Sequence, residues 1–524
     1  MRFAVPGVSE SFDPTSPPSR KERTRGMSGV RLNRVQRFLF PSIADLLFVG
    51  LLITRLGPTL FHDGDTGWHL WAGTATLERG PGAIPDVLSF TRNGVPWENV
   101  EWLGEVLMVL MVRHADYMGV AVLCGLVFAG TFSWLYRILV RETEDPPVAL
   151  LVTALAAQVT LIQFLARPLI FSFPLFLAVV ECLRKAEHRR RILYLIPVLT
   201  AIWANVHPSA YLAPAMVTFF WIFRFRHRAF AVTALVSLVA LGATPWGFSW
   251  IANMVLENRS YFGRVEEWAS PQFGELRFLP YLLYLLLALA ARRNAKPLSL
   301  GEALWGLGWM VGALVSARLG PYAAMAWAPW LARDLAASEW SRSGWILGRV
   351  WRGARDTLGP MESALRPRVW PVLAGALGLL LAPALESTYP QVARGFPDDR
   401  FPRAALAEAK RLELGPRVMN RYAWGGFISW ESHAAAKTFI DGRAGFFGEE
   451  LLEDYLELMT VSSGWLDVLD RHRPDWILVS PESPLVNVAP LTGTWKVGYR
   501  DSTAVILMPE SGERDSEDPV PSSP

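Results

Sequence analysis

The residues best suited to chemistry sit in short polar clusters between long apolar runs. The richest is His62-Asp63-Gly64-Asp65-Thr66-Gly67-Trp68-His69. Asp63 and Asp65 are separated by one glycine, so an extended or turning backbone can aim both carboxylates one way. Such a pair can hold a divalent cation (Mg or Mn) through hard oxygen ligands, or divide into a general base and an orienting partner. Asp and Gly are also ordinary turn formers, and Asp can cap a helix starting near Trp68. Cations and imidazoles come from other clusters: Arg167-Pro168, Asn205-Val206-His207-Pro208 and Ser316-Ala317-Arg318. Thr244-Pro245-Trp246-Gly247 and Glu266-Glu267-Trp268 are two further polar interruptions. Arg167 and Arg318 can equally snorkel to lipid headgroups, and His207 can be a satisfied interfacial histidine. Trp68, Trp71, Trp97, Trp102, Trp246 and Trp268 suit an interfacial belt and also suit stacking on sugar rings. Carboxylates on one segment with Arg and His on several others is the arrangement expected around an anionic phosphate and an acid/base centre.

The elements that must position these clusters are membrane helices. Of 524 residues, 51% are hydrophobic and 19% charged, against about 25% charged in ordinary soluble domains. That excludes a disordered chain, a disulfide-rich secreted scaffold and an ordinary cytosolic enzyme. The net charge of +3 is spread along the chain, which gives no support to nucleic-acid binding. Cys124 and Cys182 lie in apolar runs and read as packing residues. Residues 1–37 read as a disordered basic cytoplasmic tail, with seven Arg/Lys and one Glu in 20–37. The apolar run from Phe38 to Leu56 has no small-residue cleavage site and reads as a retained signal anchor. By the positive-inside rule the N-terminus is cytoplasmic, and residue 57 onward lies outside.

Trp68–Glu78 is too short and polar to span, since a spanning helix needs about 20 apolar residues. Placing Trp97–Met111 on the membrane surface as well makes 57–117 an outer loop with two surface helices. Spans then follow at about 118–136, 148–165, 168–183, 192–206, 209–223, 229–244, 277–291, 299–316, 320–334 and 369–386. This register puts the basic clusters inside, including Arg184–Arg191, Arg224/Arg226/Arg228, Arg292/Arg293/Lys296 and the Arg-rich stretch 333–368. The other register puts most of them outside. The expected fold is therefore an all-α polytopic bundle of about eleven transmembrane helices over 38–386. A small extracytoplasmic α/β domain follows over 387–508, then a disordered acidic tail over 509–524. In that domain Val418–Trp430, Lys437–Asp441 and Trp476–Val479 read as strands or buried turns. Glu449–Met459 and Ser463–Arg471 read as helices, and Lys496–Arg500 with Thr503–Met508 reads as a hairpin.

Phosphate-loop, His-Glu-x-x-His and Gly-x-Ser-x-Gly patterns are absent from the sequence. Phe439-Ile-Asp-Gly-Arg443 suits either a sugar- or phosphate-contacting turn or a buried Asp–Arg pair. Several motifs together resemble those of large bacterial membrane proteins related to the GT-C superfamily of polyprenyl-phosphate-dependent glycosyltransferases. They are Asp63-Gly-Asp-Thr-Gly-Trp-His-Leu70, Ile84-Pro-Asp-Val-Leu-Ser-Phe-Thr91, Pro96-Trp97, Glu101-Trp-Leu103, Trp203-Ala-Asn-Val-His207, Asn420-Arg-Tyr-Ala-Trp-Gly-Gly426 and Phe439-Ile-Asp-Gly-Arg443. That superfamily includes oligosaccharyltransferase catalytic subunits, protein O-mannosyltransferases and the aminoarabinose transferase of lipid A.

The resemblance spans about 38–510. It implies a lipid-linked sugar donor, membrane lipids as surroundings, and no nucleotide. It implies Asp65 and Asp63 as the catalytic or metal-contacting acids, and Arg167, His207 and Arg318 on the donor phosphate. His69, Trp68 and Glu267 complete the expected substrate contacts. The Asp-Glu doublet of the mannosyltransferases is replaced by Asp-Gly-Asp, and the tail lacks a Trp-Trp-Asp-type acceptor motif. The alternatives are a catalytically inactive binding or assembly protein on the same scaffold and a transporter or flippase. Against the transporter, the polar groups gather at one face and no matching halves occur.

Overall fold

The computed structural model describes residues 39–258, 269–293, 295, 297–338, 346–365 and 369–510. The expected tail 1–37, residues 511–524 of the expected tail 509–524, and Glu266-Glu267-Trp268 lie outside these residues, while Pro509 ends a strand. The first part of the chain carries α1 (Ile43–Thr54), α2 (Asp65–Arg79), a short hairpin of β1 (Ala83–Pro85) and β2 (Pro96–Glu98), then α3 (Trp102–Thr143) and α4 (Pro146–Thr160). There follow α5 (Ser172–Ala186), α6 (Leu195–Ala204), α7 (Leu212–Phe220), α8 (Arg228–Ala240), α9 (Ser249–Asn258), α10 (Leu279–Arg292), α11 (Leu300–Val315), α12 (Gly320–Ala337), α13 (Ile346–Ala364) and α14 (Val369–Leu385).

Helix starts follow local chemistry. Ser42 and Asp45 form a reciprocal capping box on α1, and Ser299 with Glu302 does the same on α11. Asp145 caps α4 ahead of Pro146. Several bundle helices are lengthened at one end by a 3₁₀ turn. Pro168–Phe171 precedes α5, Pro208–Tyr211 precedes α7 and Ala317–Leu319 precedes α12.

Every expected span coincides with one of these helices. Trp102–Thr143 and Pro146–Gln163 are long and apolar enough to cross a bilayer, while Ile43–Thr54, Arg228–Ala240, Leu300–Val315 and Val369–Leu385 are shorter apolar helices. α8 exposes Val232, Leu235, Val236, Leu238 and Val239. A soluble surface seldom carries such a run, and lipid would cover it.

Two expectations are refined. The second surface helix begins at Trp102, because Pro96–Glu98 pairs with Ala83–Pro85 as β2. It then meets the long helix across a kink. Ala115 (φ −157°, ψ 45°) and Asp116 (φ 40°, ψ −139°) break α3 at the boundary the sequence suggested. Within the Arg-rich stretch 333–368, Ile346–Ala364 forms a helix.

The C-terminal part contains α15 (Arg403–Arg411), β3 (Arg417–Asn420), α16 (Gly425–Glu431), β4 (Lys437–Thr438), α17 (Ala444–Thr460), α18 (Trp465–His472), β5 (Trp476–Val479), β6 (Trp495–Arg500) and β7 (Val505–Pro509). The sheet order is β4-β3-β5-β7-β6. β3 runs parallel to β4 and β5, β7 pairs antiparallel with β5, and β6–β7 is the expected hairpin, with a bulge at Val497/Tyr499. Of Val418–Trp430, only the first residues are strand; Gly425 onward turns into α16. Separate apolar clusters cover the two faces of the sheet.

The outer loop continues this sheet. Ser89 bridges Thr438, the Phe90 N–H donates to the Thr438 carbonyl at 3.0 Å, and the Thr438 N–H donates to the Leu88 carbonyl at 2.8 Å. The edge of β4 is thus covered by residues some 350 positions earlier in the chain.

Candidate active site

The two glycine-bearing motifs fit into each other. A Cβ on Gly67 would overlap the Gly426 carbonyl, one on Gly64 the Ala423 carbonyl, and one on Gly426 the Gly64 carbonyl. A Cβ on Gly442 would overlap the Asp65 carboxylate. Only glycine allows two backbones this close approach. The Asp-Gly-Asp-Thr-Gly turn is therefore held by Tyr422–Gly426 and by Gly442 of the C-terminal part. Arg443 fastens the same junction. It donates to Asp441 at 2.6 Å and to Asp86 of the outer loop at 2.9 Å, all three being buried. Phe439-Ile-Asp-Gly-Arg443 is thus a buried Asp–Arg pair. The two carboxylates raise the Arg443 pKa against the opposing effect of burial.

Below this junction lies a cavity of about 940 Å³. Asp63, Asp65, Trp68, His69, Arg167, His207 and Arg318 all line it. Of the expected site residues, only Glu267 falls outside the described residues. Arg167 reaches both aspartates: its Nε pairs with Asp63, and its Nη2 lies 3.6 Å from Asp65 Oδ2. Arg167 heads the 3₁₀ turn of α5, His207 heads that of α7, and Arg318 lies in the one before α12. The placement of Arg167 and His207 is fixed by Pro168 and Pro208, which suit the first turn. It also aims the positive ends of these helices at the cavity, a favourable setting for an anion.

Two carboxylates that were not among the expected site residues belong here: Glu101 and Glu105. Asn205 brings them in. Its Oδ1 accepts from Trp102 Nε1 at 2.9 Å, and its carbonyl accepts from the Leu103 N–H at 3.1 Å. This fixes the start of α3 beside the Asn205-Val-His207 turn. His207 Nδ1 accepts the Ser209 backbone N–H at 3.0 Å. The neutral ring therefore carries its proton on Nε2, which points at Glu101 Oε1, 3.3 Å away. His69 Nδ1 lies 2.8 Å from Glu105 Oε1 and 3.6 Å from Glu101 Oε2. Gly73, one helical turn after His69, lets α2 approach the Glu105 backbone closely enough for this contact. The sequence signal was available: two glutamates at i, i+4 in an otherwise apolar segment.

The electrostatics differ around the two acid pairs. Burial pushes the Glu101 carboxyl up to about 8, with Asp65 adding to the rise and Arg318 opposing it. Burial holds His69 well below the usual imidazole range, with His207 contributing. Burial likewise depresses His207, with help from Arg318 and Arg167. Asp63 and Asp65 instead face a guanidinium. Glu101 can therefore hold or exchange a proton near neutral pH. A metal on Asp63 and Asp65 would compete with Arg167 for the same oxygens.

No protein-family model matches the chain, and no curated protein matches it. Among solved structures, it is similar to the oligosaccharyltransferase of Archaeoglobus fulgidus in the apo form. The TM-score is 0.49 at 12% identity, over 84% of this chain and 69% of that one. It is similar to ArnT from Cupriavidus metallidurans in the apo state, with TM-score 0.48, 14% identity and coverage of 88% and 97%. The same oligosaccharyltransferase tethered with an acceptor peptide containing the NVT sequon gives 0.46, 13%, 90% and 73%.

Proposed function

We propose that the cavity transfers a sugar from a polyprenyl-phosphate-linked donor to an extracytoplasmic acceptor in the cell envelope, with inversion at the anomeric carbon. The observation that carries this reading is the convergence of Asp63, Asp65, Arg167, His207 and Arg318 on one cavity, from four separated segments. Asp65 takes the acceptor hydroxyl proton, and Asp63 with Arg167 fixes its orientation. The acceptor oxygen attacks the anomeric carbon as the bond to the phosphate oxygen breaks. The charge released on that phosphate is met by Arg318, His207 Nε2–H, Arg167 and the helix ends. Trp68 offers an aromatic face beside the sugar. The protein would sit in the bacterial inner membrane with the cavity on the outer side, and the donor's lipid would enter between helices.

The test is Asp65→Asn in purified, folded protein given radiolabelled polyprenyl-phosphate sugars and an envelope extract as acceptor source. Transfer should fall by about 10²–10⁴-fold, the usual worth of a positioned general base. Undiminished transfer would remove Asp65 from that role. Wild-type protein that binds donor without any transfer would favour the inactive-scaffold reading.

A further inference from the structure

Helix α13 takes no part in the cavity, and two contacts define how it lies. Trp351 Nε1 donates to Asp145 Oδ2 at 3.4 Å, and Arg355 Nη1 stands 3.8 Å from the same oxygen. Further along, Glu362 Oε2 accepts the Ile43 backbone N–H at 2.9 Å. Asp145 caps the head of α4, and Ile43 opens α1. Both helices run from there toward the cavity, α1 to His62 and Asp63, α4 to Arg167. The two heads therefore share the end of the bundle away from the cavity. At 1.5 Å per residue, the two contacts are about 16 Å apart along α13. A helix that touches two heads at one end over that distance lies across the end, in the plane of a bilayer rather than along its normal.

These contacts use one face of α13 and leave the other open. Ile346, Arg349, Val350, Gly353, Asp356 and Thr357 are exposed, at the three- and four-residue spacing of a single stripe. Ile346 is 69% exposed and Val350 64%. Arg349 stands between them, Arg352 and Arg355 follow, and the first acid of the helix comes only at Asp356. The first half of the stripe is thus apolar and basic together.

Two neighbouring features say what covers it. The next helix, α14, starts at the same end and exposes Val372, Leu373, Leu377 and Leu380, an apolar flank suited to hydrocarbon. α13 lies just before that flank, where acyl chains give way to headgroups. The same end also carries exposed Arg189, Arg190 and Arg191 between α5 and α6, whose adjoining turns hold Arg167 and His207 at the cavity. A cationic surface at headgroup depth is complementary to an anionic lipid.

We propose that the first half of α13 lies in the headgroup layer of the leaflet away from the cavity and binds anionic phospholipid. Ile346 and Val350 enter the upper acyl chains, and Arg349 meets the lipid phosphates. A neutral lipid satisfies the two apolar side chains but leaves the excess of arginine unmatched. The proposal concerns attachment to the membrane and stands apart from the glycosyl-transfer reading.

The experiment uses full-length protein lacking Cys124 and Cys182, with a nitroxide label at Val350→Cys. It is placed in lipid nanodiscs of phosphatidylcholine alone or of an equimolar mixture with phosphatidylglycerol. Collision rates with oxygen, which concentrates in lipid, and with a water-soluble nickel complex report immersion. A label at exposed Glu482→Cys gives the aqueous reference. In the mixed discs, the oxygen-to-nickel ratio at 350 should exceed the reference roughly threefold or more. It should fall by about half in phosphatidylcholine alone, in Arg349→Glu, or at about 1 M salt, where charge is screened within about 3 Å. Arg349 is exposed, and the comparison of two lipids needs no charge variant, so a misfolded Arg349→Glu leaves the test intact. Three results would overturn the proposal. The first is a ratio at 350 equal to the reference in both lipids. The second is immersion that ignores both lipid charge and Arg349→Glu, which means apolar contact without headgroup recognition. The third is spin–spin broadening between singly labelled copies, which means that a second chain covers the face.

Discussion

At the scale of single residues, the site turns on which charge neutralises which. Arg167 is a cation at the head of a helix, and the sequence alone left it free to be a lipid-facing arginine. The structure puts its guanidinium against Asp63 and Asp65. Arg167→Gln therefore leaves two half-buried carboxylates facing each other. The expected loss is about 2–3 kcal/mol, below the roughly 3–5 kcal/mol of a fully buried broken pair because the cavity admits water. Arg167→Lys restores the charge but not the forked geometry, so it should recover stability more than activity. Denaturant midpoints measured beside transfer rates separate the two effects. Asp63, Asp65, His207 and Arg318, which line the cavity, were legible as candidates because polar groups between apolar runs are conspicuous. Glu101 and Glu105 were less so. They sit in a segment whose apolar residues dominate its pattern, and only packing shows which face holds the carboxylates.

At the scale of elements, proline and glycine do the positioning. Pro168 and Pro208 begin tight turns that set Arg167 and His207 on the cavity rim. The glycines of Asp63–Gly67 and Tyr422–Gly426 let two backbones touch. Gly67→Ala should separate them, loosening the C-terminal part and raising its cleavage rate in limited proteolysis, with a stability loss of about 2 kcal/mol or more. Gly50→Ala is the matched control. It lies in the interior of α1 with open space around it. It should be neutral or stabilise by up to about 1 kcal/mol, since alanine is the better helix former. Equal proteolysis of the two variants would mean that the glycine contacts do not hold the junction. Helix existence was well determined from sequence, because long apolar runs allow little else. The start of the second outer-loop helix was not, since β2 claims Pro96–Glu98 through a pairing with Ala83–Pro85.

At the scale of the whole molecule, polar groups divide between the two ends of the bundle. The cavity gathers the heads of α5, α7 and α12. At the helix ends away from the cavity, Arg292 pairs with Asp334 at 2.7 Å, Arg224 with Glu302 at 3.3 Å, and Arg184 with Glu142. The arrangement predicts opposite exposure of the two ends across a bilayer. In a background lacking Cys124 and Cys182, both buried, cysteine at exposed Glu482 should react with a membrane-impermeant maleimide added to intact spheroplasts. Cysteine at exposed His188 should react only after the membrane is opened. The reverse pattern would put the cavity on the cytoplasmic side and end the proposed envelope role. The C-terminal part is a wall of the site, since Gly442 rests on Asp65 and Arg443 reaches Asp86 of the outer loop.

The order of apolar and polar segments determined where the helices form, which turns carry charge and where the final hairpin lies. These features follow from local propensity and from periodicity within a few turns. Tertiary structure decided which distant groups meet: Arg167 with Asp63 and Asp65, His207 with Glu101, His69 with Glu105, and the outer loop with the edge of β4. Such contacts are set by the close packing of backbones far apart in the chain, at glycines that carry no side chain and so leave little trace in a reading of polarity.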